Sequence, residues 1–165
     1  MPLPAPENRR LLHHRTVTYR GYEREDGWWD LEAELVDAKD YPITMFERGE
    51  LAAGAPIHGM ALRVTVDDGF VIRAVATAMD ATPLAECGSA VDPMQAMVGV
   101  AMGRGWRQAI ERALGGTRGC AHLRELLFNM ATLAFQTIPA GKLRRQGLST
   151  PPQAEGGQPP FHLGR

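Results

Sequence analysis

Apolar and polar side chains alternate through much of the first half of the chain. In WWDLEAELVD (28–37), large apolar residues take every second position and acidic residues fall between them. Successive side chains of a strand point to opposite faces, so this alternation predicts an antiparallel strand with one buried and one solvated face. TVTYRGYERE (16–25) predicts a strand before it, with EDG (25–27) as the hairpin turn.

A second pair of strands is predicted in HGMALRVTVDDGFVIRAVATAMD (58–80). Asp68-Gly69 is a strong hairpin signal at its centre. His58 has the parity of the apolar face of the first of these strands, at the point where that strand begins. The intervening DYPITMFERGELAAGAP (40–56) has little periodicity and predicts a connecting loop.

The second half of the chain has helical periodicity. Asp92-Pro93 is typical of a helix start, and GWRQAIERALGG (105–116) predicts a helix that stops at its glycines. CAHLRELLFNMATLAFQTI (120–138) predicts the strongest helix, ended by Pro139. Strands followed by helices predict an α+β fold: an antiparallel sheet of three to four strands, covered on one face by C-terminal helices in a two-layer sandwich.

The sequence divides into three parts. Residues 1–14 are polar and proline-containing, and predict a loose N-terminal arm. Residues 15–138 hold the periodic segments and predict a single domain. Residues 139–165 are rich in Pro, Gly and Gln with few large apolar groups, which predicts a disordered tail.

Composition excludes several classes of function. A formal net charge of −1 gives no electrostatic footprint for nucleic acid or an anionic membrane. No apolar run is long enough to span a bilayer, and the N-terminus lacks the apolar core of a signal peptide. We therefore expect a cytoplasmic protein whose Cys87 and Cys120 are free thiols.

Four side chains are candidates for chemistry. Cys120 lies at a helix start, where free N–H groups favour a thiolate, and His122 follows it closely. His58 opens an apolar strand face, and Cys87 lies in a loop after the last strand. Each has a purely structural alternative: a small core cysteine, a helix-edge histidine, a core histidine, a loop thiol. Their spacing matches no compact zinc motif, so a shared site requires the fold to bring them together.

Two other patterns favour structure over chemistry. Acidic residues on one face of the strand at 28–37 predict a solvated sheet surface with cross-strand ion pairs to Arg63 and Arg73. GGTRGC (115–120) could cradle an anion before a helix but lacks the ending of a phosphate-binding loop.

The order of several segments resembles an uncharacterised bacterial family, domain of unknown function 2889. The segments that carry the resemblance are RGYEREDGWWDLEAELVDAKDY, AGAPIHGMALRVTVDD, VIRAVATAMDATP, GGTRGCAHLRELL and ATLAFQT. The resemblance covers nearly all of residues 15–138 and implies no established activity. Members of that family often have Asp after the motif His, where this chain has Gly59.

A second resemblance concerns GAPIHGM, the strand hairpin and CGSA, which look like the core of IscU-type iron–sulfur cluster scaffold proteins. The resemblance aligns His58, Cys87 and Cys120 with the three scaffold cysteines, which converge at one end of the sheet. Met60 replaces the scaffold's aspartate, and Gly119 replaces the histidine before the third cysteine. The resemblance therefore implies a scaffold-like fold without cluster assembly.

We accordingly expect a Zn or Fe ion held by His58, Cys87 and Cys120, with His122 as fourth ligand or neighbouring base. An open coordination position on that ion would hold water or substrate and make the protein an enzyme. One alternative is a metal-free enzyme of lyase or hydrolase type that uses His58 or His122 and Cys120 on a small molecule, in a pocket lined by Trp28, Trp29 and Trp106. Another is a non-catalytic accessory protein, suggested by Trp28 and the tail. A homo-oligomer is compatible with every alternative.

Overall fold

The computed structural model describes residues 3–148 and contains the predicted α+β fold. Its main sheet is an antiparallel meander of four long strands that pair in chain order. The strands are β1 (His13–Glu23), β2 (Trp29–Lys39), β5 (Pro56–Val66) and β6 (Ile72–Ala81). The four-stranded sheet confirms the predicted architecture, and both predicted hairpins are present.

The alternation in β2 explains which face of the sheet is buried. Trp29, Leu31, Ala33 and Leu35 are each 1% exposed or less, and they pack with the apolar residues of β5 on the face that the helices cover. The opposite face has no helix over it in the described part of the chain and carries the predicted cross-strand pair Arg63–Glu32 (2.7 Å). Arg73 pairs with Asp67 at the hairpin turn instead, so that part of the ion-pair prediction is wrong.

The segment predicted as a plain loop contains a small hairpin of its own. β3 (Ile43–Met45) pairs with β4 (Gly49–Leu51) in a separate two-stranded sheet. Strands of three residues are too short to give a recognisable alternation, which is why the pattern did not reveal them.

Two short 3-10 helices, Ala85–Ala90 and Asp92–Met97, follow the sheet and lead to α1 (Trp106–Leu114) and α2 (Ala121–Arg145). The predicted helix start at Asp92-Pro93 therefore produces only a 3-10 segment, which buries Met94 and Met97. Both α-helices were predicted, and α1 ends at Gly115 as expected.

α2 approaches the sheet closely at two glycines. A Cβ added at Gly21 of β1 would lie 2.1 Å from Thr137 Oγ1, and one added at Gly141 of α2 would lie 2.3 Å from the Trp29 ring. The Trp29 ring is further held by Arg145, which stacks 4.2 Å from its centroid, and by Asp68, which accepts a hydrogen bond from Nε1 (2.9 Å).

These contacts explain why the predicted helix end at Pro139 is wrong. α2 continues through Pro139 to Arg145. Proline has no N–H, so Pro139 cannot donate the helical hydrogen bond to the carbonyl of Phe135. The Phe135 side chain is 39% exposed, so this turn of the helix lies near solvent. Ion pairs of Arg145 with Glu23 and of Lys142 with Asp68 (3.9 Å) anchor the next turns. Residues 139–145 thus belong to the folded unit, and the predicted tail from 149 onward lies outside the described residues.

No helix among residues 3–148 has the length and apolar character needed to cross a bilayer.

Candidate functional site

The site is built around a buried carboxylate at the end of β2. Asp37 continues the parity of Trp29 and Leu35, so its side chain lies on the helix-covered face of the sheet, and it is 2% exposed. In the antiparallel register Asp37 pairs with His58 of β5. His58 Nδ1 lies 3.1 Å from Asp37 Oδ2, a hydrogen bond in which the imidazole donates.

The start of α2 adds a second histidine from above the sheet. His122 Nε2 lies 3.6 Å from Asp37 Oδ2, and its ring centroid is 4.1 Å from that of His58. The other nitrogen, Nδ1, lies 3.7 Å from Cys120 Sγ. His122 therefore stands between the carboxylate and the thiol, with one nitrogen toward each.

Two basic residues of β1 occupy the other side of Asp37. Arg15 donates to both carboxylate oxygens, from Nε at 2.8 Å and from a terminal nitrogen at 2.9 Å, and also pairs with Glu125 of α2 (2.8 Å). His13 Nε2 lies 3.2 Å from Asp37 Oδ1. A single buried carboxylate thus faces one guanidinium and three imidazoles.

The electrostatics keep Asp37 charged and His58 neutral. Burial by itself would raise the pKa of Asp37, but the hydrogen bonds and charge of Arg15 outweigh burial, so the pKa lies below its ordinary value. Burial lowers the pKa of His58, and the nearby His122 imidazole adds to this effect. Asp37 acts in the opposite direction on His58 without reversing the shift.

Among residues 3–148, one group of three potential metal ligands stands out: Asp37, His58 and His122 each offer a ligand atom within 4.8 Å of the other two. Of the residues predicted from the sequence, His58 and His122 are in this group, and Cys120 is beside it through His122. Cys87 lies on the first 3-10 helix, half-buried, and is not in such a group. The predicted ligation itself stays a prediction.

Asp37 is the residue that the sequence analysis missed. It occupies an apolar-parity position at the end of the clearest alternating segment, and a carboxylate on the buried face must find partners. That parity was the signal available in the sequence.

The other sequence candidates lie elsewhere. Trp29 and Trp106 are buried in the core, whereas Trp28 is 42% exposed on the opposite face of the sheet, so the three tryptophans do not line one pocket. Within the loop at 115–120, Arg118 hydrogen-bonds to carbonyls at the end of α1, including that of Arg112 (3.0 Å). Arg118 thereby caps α1, which gives the loop a structural role.

The comparisons with known proteins concern the same part of the chain. The family described as "Protein of unknown function (DUF2889)" matches residues 13–136, which include every residue of the Asp37 site. The chain belongs to this family. No curated protein and no solved structure matches the chain, so the resemblance to IscU-type scaffolds gains no support.

Proposed function

We propose that this member of the DUF2889 family binds a divalent transition-metal ion, Zn or Fe, through Asp37, His58 and His122. The observation that carries the proposal is the convergence of one carboxylate and two imidazoles within 4.8 Å of one another. Two ligands held at about 2.1 Å by a tetrahedral ion are separated by about 3.4 Å. The observed separations from Asp37 Oδ2, 3.1 Å to His58 Nδ1 and 3.6 Å to His122 Nε2, are close to that value. On binding the ion, His58 would carry its proton on Nε2, which frees Nδ1 to ligate.

The protonation states also fit a metal ion. Ligation requires an ionised carboxylate and neutral imidazoles. The lowered pKa values of Asp37 and His58 favour these forms at neutral pH. Two histidines and one carboxylate leave coordination positions open for water or substrate, as in hydrolytic zinc and non-haem iron sites. An ion so held would polarise a bound small molecule.

Cys120 would then support His122 without ligating the ion. If Nε2 of His122 binds the metal, Nδ1–H is left to donate toward Cys120 Sγ. The scaffold resemblance makes a different assignment, in which Cys87 and Cys120 ligate with His58. Serine variants of the two cysteines distinguish these assignments.

A metal-free enzyme is the second candidate, and the Arg15 contacts favour it. Arg15 already engages both oxygens of Asp37 and would compete with a metal ion for them. Cys120, His122 and Asp37 are in the order of a nucleophile, a base and an orienting carboxylate. In that case His122 Nδ1 would take the thiol proton, and the sulfur would add to an acyl carbon of a small substrate. The leaving group would depart with the proton returned by His122, and water would then hydrolyse the resulting thioester to the acid and the free thiol.

Metal content tests the proposal. Untagged protein purified without oxygen would be compared with His58→Ala, His122→Ala, Cys87→Ser and Cys120→Ser by elemental mass spectrometry. His14→Ala is the matched control, because His14 is an exposed histidine of β1. We expect about one equivalent of metal, lost in the two site-histidine variants and kept in His14→Ala and both serine variants.

Two other results would change the assignment. Loss of the metal in both serine variants would favour the scaffold-like ligand set. A metal-free wild-type protein in which Cys120 alkylates much faster than Cys87, and slows in His122→Ala, would favour the cysteine enzyme.

A further inference from the structure

The outer edge of β1 has a defined set of backbone groups that point away from the sheet. Hydrogen bonds from Asp40 N to Leu12 O (3.4 Å) and from Arg24 N to Trp28 O (2.9 Å) mark hydrogen-bonded pairs at the two ends of the β1–β2 ladder. Such pairs alternate along an antiparallel ladder. The even-numbered residues of β1 therefore bond to β2, and the N–H and C=O groups of the odd-numbered residues face outward. The outward-facing residues are His13, Arg15, Val17, Tyr19, Gly21 and Glu23.

This edge is long, regular and open. β1 has 11 residues, contains no proline and shows no register shift against β2. Within residues 3–148 no other segment hydrogen-bonds to the outward-facing groups. Charged side chains often protect such edges. Here Arg15 is held by Asp37 and Glu125, and Arg20 by Glu34 (2.9 Å), so neither guanidinium is free to do so.

The opposite edge of the same sheet is covered at its start. Ile72 of β6 exchanges hydrogen bonds with the segment at 99–100: its N–H donates to Val100 O (2.9 Å) and its carbonyl accepts from Gly99 N (2.8 Å). The Gln95 side chain donates to Val75 O (3.0 Å). The first residues of β6 are thus covered, whereas within residues 3–148 no segment hydrogen-bonds to the outward-facing groups of β1.

We propose that β1 pairs with β1 of a second copy of the chain, antiparallel across a twofold axis at Thr18, to give a continuous eight-stranded sheet. Centring on Thr18 places every outward-facing residue opposite another outward-facing residue, whereas centring on Val17 or Tyr19 leaves some beyond the end of the partner strand. A second copy of the chain therefore satisfies the outward-facing groups along the whole length of the strand.

The side chains suit the same register. His13 stands opposite Glu23 of the second copy, so no acidic residue faces the Glu23 carboxylate. Arg15 stands opposite Gly21, and Val17 opposite Tyr19. No two residues of like charge face each other directly.

Cysteine cross-linking tests both the contact and its register. Thr18 would face its own copy in a non-hydrogen-bonded pair, where Cα atoms are about 4.5 Å apart, within disulfide range. Thr16 is the matched control, since it also lies on the uncovered face but would be about 13 Å from its own copy. With diamide as oxidant, we expect a disulfide between residues 18 in Thr18→Cys, several-fold more abundant than one between residues 16 in Thr16→Cys, by peptide mass spectrometry. Equal yields would overturn the proposal.

A proline substitution tests the backbone contact. Val17→Pro removes an outward-facing N–H and no bond to β2, whereas Val17→Thr keeps both the donor and the β-branched shape. We expect wild type and Val17→Thr to sediment as dimers and folded Val17→Pro to sediment as a monomer at the same concentration. A wild type that is monomeric over about a hundredfold range of concentration, or a dimer that persists in Val17→Pro, would overturn the proposal. If Val17→Pro does not fold, the cross-linking result decides.

Discussion

Removing the Arg15 guanidinium should destabilise the fold far more than removing an ordinary surface arginine. In Arg15→Met, Asp37 loses two charge-assisted hydrogen bonds of 2.8 and 2.9 Å and remains buried, at 2% exposed. Breaking a buried pair by removing one partner costs about 3–5 kcal/mol. Because the Arg15 side chain is 35% exposed, solvent screens part of the interaction, and we expect a cost at or just below the bottom of that range, about 2–3 kcal/mol.

Arg20→Met is the matched control, because Arg20 forms a similar 2.9 Å pair with Glu34 on the exposed face. Exposed pairs contribute about 0–1 kcal/mol. Urea unfolding at pH 7 followed by circular dichroism gives both free energies. If Arg15→Met costs no more than Arg20→Met, Asp37 does not depend on Arg15 and the electrostatic description of the site is wrong.

The pH dependence of the Arg15→Met effect supplies an independent check. In the wild type the pKa of Asp37 is below its unfolded value, so its contribution is complete above the unfolded carboxyl pKa and is lost as pH falls through the folded pKa. Without Arg15 the folded pKa rises. The cost of the substitution should therefore be largest near neutral pH and shrink in acid, where Asp37 becomes protonated. A cost that is constant with pH would contradict this reasoning.

Three further predictions concern packing and titration. Gly141→Ala should lower the unfolding free energy by about 1–3 kcal/mol, measured by thermal denaturation, because the new methyl group overlaps the Trp29 ring. A chain ending at residue 138 should melt below one ending at residue 148, because it lacks the contacts of Lys142 and Arg145; equal melting temperatures would contradict this. In chelator-treated protein, NMR titration should give His58 a pKa below 6.5, so that its contribution to stability, complete above that pH, falls as the solution is acidified.

The sequence by itself determined the layout of the sheet. The alternation in β2 specifies which of its side chains are buried, because a strand with acidic residues at every second position can bury only its other face, and in β5 the apolar residues from Met60 to Val66 mark the buried face in the same way. Asp68-Gly69 and the turn before Trp28 then connect neighbouring strands into hairpins. The helices were also predictable from a local pattern, because their apolar residues recur at the helical period.

Local sequence patterns predicted some residues of the site but not their convergence. The parity of His58 and the place of His122 and Cys120 at a helix start were visible in the sequence, and Asp37 had a parity that marked it as buried. Which of these side chains meet depends on the β2–β5 register and on where α2 begins above the sheet. Both are consequences of long-range packing, which local periodicity does not contain.

The end of α2 likewise depends on tertiary contacts that the local sequence does not contain. Locally, Pro139 disfavours further helix, and the sequence around it predicts a stop. The tertiary structure decides otherwise. Gly141 allows close contact with Trp29, and Arg145 stacks on the same ring and forms an ion pair with Glu23. The sequence alone determined strand faces and helix periods, since these depend on neighbours a few positions away. Only the tertiary structure decided how far α2 extends and that Asp37, His58 and His122 share one site, because those outcomes depend on contacts between distant segments.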